Sequence, residues 1–336
     1  MAWPTRAAAI SVNPGRAPNH DVAACHSTCR FNVNTMYLEH FGLREFPFSI
    51  TPSTHFFFAS ETSQEALNTL LTAVDMGEGF MKITGEVGTG KTMLCRKLLG
   101  SLHDGYAVCY IFNPYLEPLA LFIEIANELG LSQAHSATSS QHEVLGALTR
   151  RVFELNESGK RVVICLDEVQ AMPVQTLEAL RLLTNLETEN RKLLQVIIFG
   201  QPELDDCLNH PSVRQLRQRI TFHYRLKPLS KSEFNYYVQH RLAAGGHRGG
   251  KVFTPTALWA LRRRSRCIPR LINILANKAM LSAYGRGIKF VGVAEVMRAA
   301  QDTDSVRQPR PKRLWYLSLG TVAVLIASFP AWRHWL

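Results

Sequence analysis

The chain has 336 residues, 46% of them hydrophobic and 19% charged, with a formal net charge of +11. That length and apolar share suffice for one large buried core and a smaller second one, and they exclude a disordered polyelectrolyte. The positive surplus suits an acidic partner such as nucleotide, nucleic acid or anionic lipid, and it is local: residues 211–270 hold fourteen Lys and Arg and one acid, Glu233. Seven cysteines, odd in number and scattered, show no pairing framework and read as reduced thiols of a cytoplasmic body.

Residues 1–35 show neither helical nor alternating periodicity and lack the continuous apolar core of a secretory signal. They read as a disordered leader or a start codon placed too early. Cys25 and Cys29 with His20 and His26 lack the second half that a metal site of this type needs. From Met36 the run MYLEHFGLREFPF raises the aromatic density at once. A helical period follows in Ala66, Leu67, Leu70, Leu71 and Val74. Residues 80–84 are a short strand and 92–102 a helix. Residues 107–112 are the next strand, then 119–129 and 144–155 are helical. VVICL at 162–166 is a fully apolar strand, 174–186 a helix with Pro173 at its start, 194–199 a fourth strand and 220–226 a fifth. Continuous apolar strands alternating with helices mean a parallel sheet covered on both faces. After Lys227 no strand is evident, and four helical segments follow. The expected organisation is an α/β nucleotide-binding domain over 36–227, a helical lid over 228–302 and a basic linker over 303–313. A transmembrane helix over 314–332 completes it.

That last segment, LWYLSLGTVAVLIASFPAW, is 19 residues without a charge. At about 1.5 Å per residue it nearly matches a hydrocarbon layer of roughly 30 Å. Trp315, Tyr316 and Trp332 sit at its ends like interface aromatics, and RQPRPKR before it keeps the body in the cytoplasm. Pro330 shortens its best helical part.

Chemistry concentrates in GEVGTGKT, which fits G-x4-G-K-[ST] between an apolar strand and an amphipathic helix. Gly85, Glu86, Val87, Gly88, Thr89 and Gly90 form a turn whose glycines let backbone N–H groups face an anion. The helix that begins with Lys91, Thr92 and Met93 directs its positive end to the same phosphates. Lys91 is the candidate for the β/γ phosphates, and the Thr92 hydroxyl for Mg²⁺. A second element, VVICLDE, puts Asp167 at a strand's carboxyl end, where it can hold the Mg²⁺ shell. Glu168 follows and can polarise the attacking water. Gln201, just past the fourth strand, can hydrogen-bond water or phosphate. Arg217 and Arg219 are candidates to reach a neighbouring subunit's nucleotide. Arg270 stands in the first turn of a lid helix, where it opposes the dipole and calls for an anion such as nucleotide phosphate.

Taken together, MYLEHFGLREFPF, GEVGTGKT, VVICLDE, EALRLLTNLETE, LLQVIIFGQPELD, LRQRITFHYRLKPLS and IPRLINILANKA resemble the ExeA/GspA-like branch of AAA+ ATPases. The likeness covers residues 36–302 and is strongest to the ATPases of MSHA-type (type IV) pilus biogenesis. It implies a strand order 5-1-4-3-2 and an FGL…PF opening near the adenine. It also implies Gln201 as sensor 1, Arg270 as sensor 2, Arg217 or Arg219 as a finger, and work as a homo-oligomer. Such ATPases couple ATP turnover to assembly of a pilus or a type II secretion apparatus across the envelope, from the inner membrane. Secretion-type relatives carry a peptidoglycan-binding domain beyond the membrane segment, whereas this chain stops four residues after Trp332, which puts direct cell-wall binding in doubt. Cys267 stands where relatives have glycine before Ile-Pro-Arg. Two other readings compete: a DNA-dependent ATPase like the AAA+ transposition regulators, motivated by the Arg-rich window, and a nucleotide-gated scaffold that does not hydrolyse. The membrane segment favours lipid over DNA, and Glu168 favours hydrolysis.

Overall fold

A computed structural model describes residues 33–113, 115–131, 140–187 and 192–306. In chain order the elements are α1 (Val33–Phe41), α2 (Glu61–Met76), β1 (Phe80–Gly85), α3 (Lys91–Ser101) and β2 (Tyr106–Ile111). There follow α4 (Pro118–Glu128), α5 (Gln141–Glu157), β3 (Arg161–Leu166), α6 (Val174–Leu183), β4 (Leu194–Gly200), α7 (Leu204–Leu208), α8 (Arg214–Arg217) and β5 (Phe222–Leu226). The lid holds α9 (Lys231–Ala244), α10 (Pro255–Ser265), α11 (Pro269–Gly285) and α12 (Val293–Gln301). Each strand and helix expected between residues 61 and 302 has a counterpart; the fifth strand starts two residues later than its apolar run.

The five strands pair in parallel in the order β2-β3-β4-β1-β5, the 5-1-4-3-2 order the resemblance implies, read from the other edge. All residues of β1 and β4 are buried, because helices cover both faces of the sheet. One apolar layer gathers α4, α5 and α6 on one face, and α2 and α3 fill the other with Leu70, Leu94 and Leu98. Lys82, the lone charge in β1, is nearly buried and pairs with Asp205 Oδ1 of α7 at 2.5 Å. Without that partner a buried ammonium in a sheet would be costly. Parallel pairing places all strand carboxyl ends together, and with them the turns after β1, β3 and β4.

The lid has its own core, built from Phe234, Leu261, Leu275, Met280 and Val296. The opening segment expected with the sheet packs there instead: Tyr37, Phe41, Leu43 and Phe48 join the lid cluster. Tyr37 stacks on Phe46 at 5.4 Å and meets Tyr284 edge-on at 5.8 Å. The expected domain boundary put these aromatics with the sheet, but helices already cover the sheet faces and the lid offered the remaining apolar surface. Glu233, the only acid of the basic window, closes a capping box with Ser230 at α9 and also accepts from the Glu61 N–H of α2 at 2.8 Å. One carboxylate thus caps a helix in each half of the molecule.

The leader and the 314–332 segment lie outside the described residues. Among the described residues no helix is long and apolar enough to cross a membrane.

Candidate functional site

The phosphate end grows out of β1. Gly88 and Gly90 adopt left-handed φ values of +81° and +107°, which turn the loop before α3 begins at Lys91. A Cβ on Gly88 would lie 2.4 Å from Arg270 Cβ, so glycine here serves the lid as well as the loop. The Arg270 N–H donates to the Gly88 carbonyl at 3.2 Å. Helix α11 has no side-chain cap, and the phosphate loop satisfies one of its free amides.

Lys91 is buried, and its Nζ donates to the carbonyls of Gly85 at 2.8 Å and Glu86 at 3.2 Å. Burial pulls its pKa down, against the pull of Glu168 and Asp167. Thr92 Oγ1 donates to Asp167 Oδ2 at 2.7 Å, and the Glu168 N–H donates to Asp167 Oδ1 at 2.9 Å. Burial raises the Asp167 pKa from its ordinary value in spite of these bonds. A buried carboxylate, joined to a hydroxyl and ion-paired to no Lys or Arg among the described residues, is a fitting donor set for Mg²⁺, which takes few protein oxygens and keeps water and phosphate ligands.

Glu168 holds a left-handed backbone, φ 55°, rare for a residue with a side chain and a form of strain found where geometry matters. Its Oε2 accepts from Gln170 Nε2 at 2.7 Å and from Gln201 Nε2 at 3.0 Å. Burial by itself would raise its pKa; the two amide bonds and the charges of Lys91 and Arg270 outweigh it and hold the carboxyl below its ordinary value. Oε1 has no protein partner among the described residues. The pair from β3 and the glutamine after β4 therefore meet beside the P-loop.

A cavity of about 520 Å³ extends from this loop toward the lid. Its far end is walled by Ser49, Ile50 and Phe56 from the opening segment and by Tyr237, Arg241 and Asn273 from the lid. The residues of FGL…PF themselves are in the lid core; the chain just after them faces the cavity.

The comparisons agree with this geometry. An AAA domain family model matches residues 74–208. General secretion pathway protein A of Aeromonas hydrophila is 40% identical over 301 residues, covering 89% of this chain. The chain is an ExeA/GspA-like AAA+ protein. It spans about half the length, 54%, of that relative. Among solved structures, Cdc6p from Pyrobaculum aerophilum is similar with a TM-score of 0.62 at 20% identity, over 76% of this chain and 70% of that one. The Aeropyrum pernix ORC1 protein, solved in complex with DNA, gives 0.56 at 20% identity, over 77% and 69%. These two likenesses are of fold alone.

In this AAA+ body two sequence candidates stand apart from the rest. Arg217 donates to Asn209 Oδ1 at 2.6 Å, and Arg219 to Thr184 Oγ1 at 2.6 Å; neither lines the chain's own nucleotide cavity. Three residues escaped the sequence reading. Gln170 bonds Glu168 and, through its Oε1, the Gln201 N–H at 2.9 Å; its signal was its place two residues after the acid. Arg241 is 6% exposed, donates to the carbonyls of Pro47 at 2.5 Å and Ser49 at 2.9 Å, and lies 4.3 Å over the Phe56 ring. Its signal was an arginine on the buried stripe of α9, between Val238 and Leu242. Asn273 accepts from the Tyr237 hydroxyl at 2.9 Å and had no signal of its own.

Proposed function

We propose that the chain binds and hydrolyses ATP with Mg²⁺, attached to the bacterial inner membrane, in support of assembling a type IV (MSHA-like) pilus or a type II secretion apparatus. The observation that carries the enzymatic part is that Lys91, Thr92 and Glu168 line the cavity together, with Asp167 bonded to Thr92 and to the Glu168 N–H. The P-loop amides and Lys91 grip the β and γ phosphates. Thr92 and Asp167 would hold Mg²⁺, which would supply charge neutralisation for the phosphates. Glu168, ionised at neutral pH and open at Oε1, accepts a proton from the water that attacks the γ-phosphorus, and the bond to the β-phosphate oxygen breaks. Gln201 and Gln170 hold that carboxylate in place, and Arg270 brings the lid to the γ-phosphate as sensor 2. Arg217 and Arg219, which do not line the chain's own cavity, suit a finger for a neighbouring protomer in a homo-oligomer.

The membrane part rests on the apolar 314–332 run and its basic flank, and the secretion or pilus role on the likeness to general secretion pathway protein A. The test is turnover of the full chain with Glu168→Gln. Release of phosphate should fall about 10²–10⁴-fold, with fluorescent-ATP affinity kept. Unchanged turnover would remove this mechanism. A second reading, a DNA-dependent ATPase, draws on the basic lid window; the DNA of the ORC1 crystal belongs to that protein. Duplex DNA titrated at two salt concentrations decides it, because phosphate contacts weaken steeply with salt.

A further inference from the structure

A second cavity, of about 590 Å³, lies on the outer side of the P-loop and is assigned no role above. Arg263, Arg264, Arg266 and Arg270 line it, and Glu86 is the one carboxylate in its wall. Arg264 and Arg266 make no ion pair, side-chain hydrogen bond or ring contact among the described residues, whereas Arg263 lies 5.8 Å from the half-exposed Trp259 ring. Arg266 is held in a left-handed conformation, φ 51°, at the end of α10. Between the arginines the wall is apolar, with Ile268, Leu271 and Ile274. Four guanidinium groups against one carboxylate, around an apolar floor, suit a ligand with a phosphate and a hydrocarbon part.

Position narrows the ligand further. Ser305 and Val306, the last described residues, form part of the same wall. The apolar run begins at Leu314, so eight peptide steps separate it from the cavity, a reach of at most about 28 Å. Arg307, Arg310, Lys312 and Arg313 lie within those steps. Duplex DNA offers phosphate but no hydrocarbon for the floor.

We infer that the cavity lined by Arg263, Arg264 and Arg266 binds the phosphate headgroup of an anionic phospholipid in the membrane that holds the chain. This rests on the membrane attachment proposed above. The cavity shares Val87 and Arg270 with the nucleotide cavity. A headgroup there draws Arg270 outward and sets a negative charge beside the nucleotide phosphates, so anionic lipid weakens nucleotide binding. The membrane thereby promotes nucleotide release.

The test uses the full chain in nanodiscs of phosphatidylcholine with or without phosphatidylglycerol, titrated with a fluorescent ADP analogue. Affinity should be about fivefold or more weaker on the anionic discs. Arg264→Ser with Arg266→Ser should abolish the difference, while Arg248→Ser with Lys251→Ser, which removes two exposed lid charges elsewhere, should keep it. Equal loss in both pairs means diffuse attraction and overturns the site. So does an affinity that ignores headgroup charge. Dihexanoyl phosphatidylglycerol, added to the chain in neutral detergent, reads the cavity without a bilayer and should weaken ADP binding in wild type only. If inorganic phosphate or duplex DNA does the same at equal phosphate concentration, the lipid assignment falls. Failure of the attachment reading looks different: the chain leaves the discs, and the short-chain lipid still acts.

Discussion

The two ends of the nucleotide cavity are built in opposite ways. The end proposed for phosphate comes from one short contiguous stretch, residues 87–93, and from Glu168, and offers a glycine-rich backbone and one ammonium group. The far end is assembled from pieces nearly two hundred residues apart: Ser49 and Phe56 before the sheet, and Tyr237, Arg241 and Asn273 after it. Main-chain recognition needs a backbone shape, and a run of glycines can encode that locally. Recognition by side chains needs only that they converge, and many sequences achieve this without a motif.

That contrast can be broken most forcefully at Lys91. Lys91→Ala removes charge-assisted bonds of about 1.5–3 kcal/mol, and affinity should fall roughly ten- to a hundredfold. The loss should be similar for ATP and for tripolyphosphate, since both present the same anion; calorimetry of the two ligands checks it. A loss for ATP alone would assign the lysine to the wrong end.

Arg241 tests the other end. Arg241→Met keeps the buried stem but leaves the Pro47 and Ser49 carbonyls without their donor, at a cost of about 1–3 kcal/mol of stability. Binding of ATP should weaken while binding of tripolyphosphate stays as in wild type. Denaturant melts and the same calorimetry together read both effects.

Asp167→Asn sharpens the comparison by setting stability against function. The raised pKa of Asp167 means that its ionised form costs the folded state free energy. That cost is fully present above the folded pKa and disappears as pH falls below the ordinary carboxylate value. Asparagine removes it and keeps an oxygen that accepts from Thr92, at the loss of the acceptor for the Glu168 N–H. The variant should therefore melt higher than wild type at pH 8, with the gain shrinking toward pH 4. Its nucleotide binding should lose its Mg²⁺ dependence. A lower melting temperature at pH 8 would show that the carboxylate is stabilising without metal.

The smallest effect is expected at Cys267, whose φ of 59° and that of Arg266 give two successive left-handed residues before α11. A left-handed residue with a Cβ costs about 1–2 kcal/mol, part of which Cys267→Gly recovers against the larger backbone entropy of glycine. The melting temperature should rise slightly and nucleotide affinity stay unchanged, because the Gly88 carbonyl still anchors Arg270. A fall in affinity would mean that the cysteine side chain, not the backbone, positions the lid.

The sequence by itself determined the sheet and the phosphate grip. A short apolar run such as VVICL, followed at once by an acid pair, reads as a buried strand, and GEVGTGKT between a strand and a helix reads as the glycine turn that Gly88 and Gly90 form. Those features depend on neighbours in the chain, so a linear pattern holds them. It also placed Gln201 and Arg270 close to the site, through position after β4 and in the first turn of α11. Only the tertiary structure decided that the aromatics of residues 37–48 serve the lid core, that Glu233 caps a helix in each half, and that Arg241 ties the opening segment to the lid. It likewise decided that Arg217 bonds Asn209 and Arg219 bonds Thr184, neither of them in the wall of the cavity. Each of these depends on which surface remains uncovered, and which backbone group remains unbonded, after the local elements have formed. No spacing along the chain records that.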